Sequence, residues 1–105
     1  MSPHTDDIEF GCGGTLARLI EQGAKVHTAV FSLCEESVPE GYPRDVLFHE
    51  MLAAAEVLGL PDGNRTVFRF PVRRFPEHRQ EILEELVALK ENLDPDLVFT
   101  PATTD

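Results

Sequence analysis

The sequence predicts an α/β fold, a parallel sheet covered by helices on both faces, and three observations carry that prediction. Helical and strand-like segments alternate along the 105 residues, as they do when layers form around a parallel sheet with right-handed crossovers. The stretch Lys25–Leu33 is apolar almost without interruption, which suits a strand covered on both sides. The helical segments stop at glycine or proline signals: Gly23, Gly59-Leu60-Pro61 and Asp94-Pro95. Together these describe a three-layer, Rossmann-like sheet in a single domain, 1–105.

Taken in order, Gly13 to Gln22 reads as a helix because Leu16, Leu19 and Ile20 recur at helical spacing. The apolar strand Lys25–Leu33 follows, then a polar loop with Pro39, Gly41 and Pro43. Asp45 to Leu58 is the clearest helix, with Leu47, Met51, Ala54, Ala55 and Leu58 along one face. A turn at Asp62-Gly63-Asn64 leads to a short strand, Thr66 to Phe70, and a basic loop with Arg73 and Arg74. A third helix runs from about Glu77 to Asn92, with Ile82, Leu86, Leu89 and Leu93 in register. Asp96–Thr100 is expected as a last strand. Ligand loops in such sheets follow the carboxyl end of a strand, yet only Met1, Ser2 and Pro3 precede His4. The fold is therefore expected to lack its first strand.

Composition limits the function. Hydrophobic residues make up 42% and charged residues 27%, a balance typical of globular domains. A formal net charge of -10 opposes unaided binding to nucleic acid or an anionic membrane, which need a positive field. Cys12 and Cys34 are the two cysteines and form no C-x-x-C pair, so neither a disulfide scaffold nor a structural zinc knuckle is indicated. No apolar run reaches membrane-spanning length, and a cytoplasmic location is the default expectation.

The chemistry concentrates in Ser2-Pro3-His4-Thr5-Asp6-Asp7, followed by Gly11-Cys12-Gly13-Gly14-Thr15. An imidazole and one carboxylate are ordinary zinc ligands. The adjacent carboxylate diverges and is free to act as a base on metal-bound water. The same acids could equally cap the following helix, where carboxylates are favoured. The glycines could let backbone approach a ligand, or simply allow tight packing.

This stretch resembles the opening P-H-P-D-D-x-x-x-G-x-G-G signature of the PIG-L/LmbE-like family of zinc-dependent N-deacetylases. Glu50-x-x-x-Ala54-x-x-x-Leu58-Gly59 is similar to the family's second helix, and Asp94-Pro95-Asp96-Leu97-Val98-Phe99-Thr100-Pro101 to the strand before its next active-site loop. The resemblance implies a Zn2+ held by His4 and Asp7, with Asp6 as general base. It implies hydrolysis of an N-acetylated amino sugar or its conjugate, a small-molecule partner, to acetate and a free amine. A homo-oligomer is compatible with it.

The departures are specific. Thr5 replaces a proline. Leu47 stands where the family often has an arginine, and Arg44 is near but out of register. The family's third ligand, a histidine in an H-x-D-H-like motif, is expected beyond Asp105. A fragment truncated at both ends is thus anticipated, binding zinc weakly, turning over little and prone to aggregate. Alternatives are a metal-dependent amidase on a non-sugar substrate, an inactive fragment, or a phosphate-binding module at the Gly-rich helix N-terminus.

Other residues have bland readings. His27 is expected to pack in the core, His49 to be solvated or locally paired, and His78 to lie at the surface. Glu35 and Glu36 follow a strand end and are read as a solvated loop, with contact to a substrate hydroxyl as the sharper option. Arg73 and Arg74 are expected to pair with nearby acids. Cys12 and Cys34 are read as structural.

Overall fold

The computed structural model describes residues 1–103, and Thr104 and Asp105 lie outside the described residues. Three helices, α1 (Asp7–Glu21), α2 (Val46–Val57) and α3 (Arg79–Leu93), surround two strands, β1 (Thr28–Val30) and β2 (Arg65–Val67). The strands are parallel, with Thr28, Ala29 and Val30 opposite Arg65, Thr66 and Val67. Ser2 adds a parallel bridge to Val30 on the other edge of β1. Its N–H donates to the Ala29 carbonyl at 2.9 Å, and its carbonyl accepts from Phe31 N–H at 3.0 Å. The first strand is thus represented by this bridge, and β1 is central rather than an edge. The result is a reduced Rossmann-like α/β fold, a parallel sheet of few strands with helices on both faces.

Side-chain alternation along β1 divides the core in two. Val30 meets Ile8 and Leu16 of α1 and Met51 of α2, with Leu19, Val26, Phe48, Leu52 and Val67 packed around them. On the opposite face Phe31 stacks with Phe68 at 4.9 Å and Phe70 at 6.3 Å between ring centroids. Phe70 in turn lies 5.8 Å from the ring of His78, just ahead of α3.

Several boundaries differ from expectation. α1 begins at Asp7, six residues before Gly13, because Cys12 (φ −150°, ψ 19°) joins two helical pieces across a kink. The expected helix is the second piece. β1 is shorter than Lys25–Leu33, although backbone bonds from Phe68 to Val30 and from Phe70 to Phe31 prolong the strand pairing.

The expected strand Asp96–Thr100 is a correction: no strand forms there. This segment gains one backbone contact to the sheet, the amino group of Met1 donating to the Phe99 carbonyl at 2.9 Å. Leu97, Val98 and Phe99 stay 68%, 48% and 37% exposed, so the segment lacks the burial that would hold it in the sheet. α3 shares this weakness. Ile82, Leu86 and Leu89 are half-buried and Leu93 is exposed, so its apolar face is covered only in part. No helix among the described residues is long and apolar enough to cross a membrane.

Candidate functional site

The turn carrying His4, Asp6 and Asp7 is tied to the carboxyl end of β1. The Pro3 carbonyl accepts from Ser32 N–H at 2.9 Å, and Ser2 Oγ donates to the His4 carbonyl at 2.9 Å. Asp7 then closes the turn on itself. Its Oδ2 accepts the His4 backbone N–H at 2.8 Å and lies 3.2 Å from His4 Nδ1. This bond closes the turn ahead of the helix; the N-cap residue itself, Asp6, makes no side-chain capping bond. The His4 ring stacks 6.3 Å from Phe75, tilted by 19°, and the side chain stays 41% exposed. Phe75 is a site residue that the sequence did not single out, since nothing in local spacing links positions 4 and 75. Asp6 is exposed, as a base directed toward a ligand would also be.

The structure brings His4 and Asp7 together, but it does not bring a third donor to them. Among the described residues, no group of three or more His, Cys, Asp or Glu side chains could hold a metal ion. Protein zinc sites use three or four such ligands. This corrects the expectation of a Zn2+ centre and of zinc-dependent N-deacetylation by this chain, and with them the metal-dependent amidase.

The reason is visible in where the other donors are committed. Cys12 packs against the α1–α2 core. Cys34 is buried, and its N–H donates to Ser32 Oγ at 3.2 Å. His27 pairs with Thr66 Oγ1 at 2.8 Å, His49 with Asp45 at 3.1 Å, and His78 with Glu81 at 3.1 Å. The third ligand expected beyond Asp105 falls outside the described residues.

The histidine readings hold in part. His49 is paired one helical turn from Asp45. His27, in contrast, is half-buried beside β1 rather than packed in the core, and His78 is half-buried against Phe70 rather than at the surface. Burial pushes the His27 imidazole below its ordinary value, with Lys25 adding to the effect.

The glycine-rich stretch straddles the kink at Cys12, where Gly13 opens the second helical piece but is itself buried. The N-terminus of α1 carries Asp6, Asp7 and Glu9, which repel phosphate. Glu9 is an overlooked member of this group. Its Oε2 is buried without a hydrogen-bond partner, and burial, with Asp6 and Asp7 adding to it, raises its carboxyl above the usual range. An acid in the first turn, two residues past a pair of aspartates, was the available signal.

Beside the turn, a cavity of about 90 Å³ opens at the carboxyl ends of β1 and β2. Arg44, Arg69, Glu35 and Glu36 line it with Ser32 and Cys34. Glu35 is therefore not simply a solvated loop residue, for Arg69 Nη1 donates to its Oε1 at 2.6 Å. Cys34 holds the turn into the cavity with a left-handed backbone, φ 54° and ψ 26°. Such a conformation in a non-glycine residue costs on the order of 1–3 kcal/mol. Burial raises the Cys34 thiol above its ordinary value, so it is inert rather than nucleophilic. Arg74 pairs with Glu77 at 2.5 Å, as expected of an arginine among acids.

No solved structure matches this chain. The family model described as "PIG-L: GlcNAc-PI de-N-acetylase" matches residues 1–105. With the His4–Asp7 turn at the carboxyl end of a parallel sheet and a match over every residue, the chain belongs to the PIG-L family.

Proposed function

We propose that this chain is a PIG-L-family α/β unit that by itself carries out no metal-dependent amide hydrolysis. In this reading 1–105 is one partial domain. His4 and Asp7 secure the turn between Ser2 and α1, and Asp6 faces the solvent where a small-molecule ligand would meet the sheet edge. The observation that carries the reading is the Asp7 carboxylate, which receives both the backbone N–H and the ring of His4. A carboxylate used in this way ties the turn ahead of the helix, and a hydrogen bond of this kind contributes about 1 kcal/mol. Two free cysteines, Cys12 and Cys34, agree with a reducing, cytoplasmic setting.

The test is a paired measurement on the purified chain. Equilibrium dialysis against zinc followed by metal analysis is expected to leave no stoichiometric metal. Incubation with N-acetylglucosamine conjugates is expected to release no acetate above a chelated control. Asp7→Ala should meanwhile lower the unfolding free energy by about 1 kcal/mol. One zinc per chain with chelator-sensitive acetate release would overturn the proposal, as would an Asp7→Ala chain of unchanged stability.

A further inference from the structure

We propose that the cavity at the carboxyl ends of β1 and β2 is a binding site for a small oxyanion, held between Arg44 and Arg69. It lies beside the His4–Asp7 turn but uses none of that turn's side chains, so it stands independently of the function proposed above.

The charges in the cavity are unequal in their commitments. Arg69 spends Nη1 on Glu35 at 2.6 Å. A guanidinium carries five N–H donors in a planar fork, so the rest of its face remains available. Arg44 lines the same cavity and makes no salt bridge among the described residues. Glu36 lies near Arg74, whose guanidinium it helps to keep protonated after the larger effect of Glu77. Arg44 is therefore the cation of this cavity without a dedicated counter-charge.

Charge selects the ligand. The cavity opens to solvent and sets no limit on what the ligand carries, but the guanidinium of Arg44 calls for an oxyanion such as a carboxylate or phosphate group. Phe70, Pro71 and Val72 complete the lining, and hydrogen bonds from an ionised guanidinium to an oxyanion are stronger than neutral ones. The site is also preformed. The left-handed Cys34 and the bond from its N–H to Ser32 Oγ at 3.2 Å fix the backbone that carries Glu35. Glu35 in turn positions the Arg69 fork. The overall charge of -10 opposes an anion at long range, but that field is screened over roughly 8 Å at physiological salt.

The oxyanion could be a phosphate or a carboxylate, and two titrations separate them. Inorganic phosphate and sodium succinate are added in turn to 15N-labelled protein at constant ionic strength. Backbone amide shifts of residues 32–36 and 69–72 are followed, with sodium chloride as the reference. Saturable shifts with phosphate alone assign the site to phosphate groups; with succinate alone, to carboxylates; with both, to oxyanions generally.

Arg44→Ala and Arg69→Ala should each weaken that binding about tenfold, the loss of one charge-assisted contact. Arg79→Ala, outside the cavity, should leave it unchanged. Both cavity arginines are exposed, and an unperturbed spectrum elsewhere verifies that the variants fold. Linear shifts indistinguishable from the chloride reference would overturn the proposal. So would equal weakening by Arg79→Ala.

Discussion

Replacing Glu9 by methionine should stabilise the protein at neutral pH. The Oε2 atom of Glu9 is buried with no partner, and a buried polar atom left unsatisfied costs about 1–3 kcal/mol. The side chain is only half-buried, so solvent screening places the cost at the low end of that range. Against it stand the carboxylate's bond to its own backbone N–H and its place in the first turn of α1, together worth about 0.3–1 kcal/mol. The balance is a gain of about 0.5 kcal/mol for Glu9→Met, or roughly 2–4 °C in a domain of this size.

The sign of the pH dependence follows from the direction of the shift. Burial first, then Asp6 and Asp7, raise the folded carboxyl above its ordinary 4.5. The penalty in the parent chain is therefore full above the folded value and fades as pH falls toward the unfolded one. Urea unfolding at pH 8.0, 6.0 and 4.5 should show the advantage of Glu9→Met shrinking on acidification. A variant no more stable than the parent at pH 8.0, or an advantage independent of pH, would refute the reasoning.

Leu16→Ala removes a side chain only 6% exposed from contact with Ile8, Val30 and Met51, and should cost about 3 kcal/mol in urea unfolding; a loss below 1 kcal/mol would show that this core is loosely packed. His27 has a folded imidazole value below its ordinary 6.5, so its contribution is present above that value and lost as pH falls through the lower, folded one. His27→Gln should flatten the stability profile between pH 7 and pH 5, and an unchanged slope would assign the dependence to another group. Asp94 ends α3 with φ 42° and ψ 61°; Asp94→Gly should relieve that left-handed backbone for a net gain of about 0.5 kcal/mol, and a lower melting temperature would contradict it.

Local chemistry carried much of this protein in its sequence. The apolar run around Thr28–Val30, the face of α2 and the stop at Asp94 depend on neighbours within a turn or two, so spacing alone exposed them. The H-x-D-D turn and its family resemblance were legible for the same reason, since His4 and Asp7 meet across three residues. Contacts between distant segments were not legible. Whether Asp96–Thr100 becomes a strand depends on what lies beside it, and the single bond from Met1 to Phe99 is too little to make it one. A metal centre likewise needs donors from separate elements to converge, and here Cys12, Cys34 and the remaining histidines are drawn into other contacts. Sequence determined which residues could serve as ligands and which segments could be helix or strand. Tertiary structure alone decided that no third donor among the described residues joins His4 and Asp7 and that Arg44 and Arg69 share a cavity, because backbone periodicity reaches a few residues while packing joins positions dozens apart.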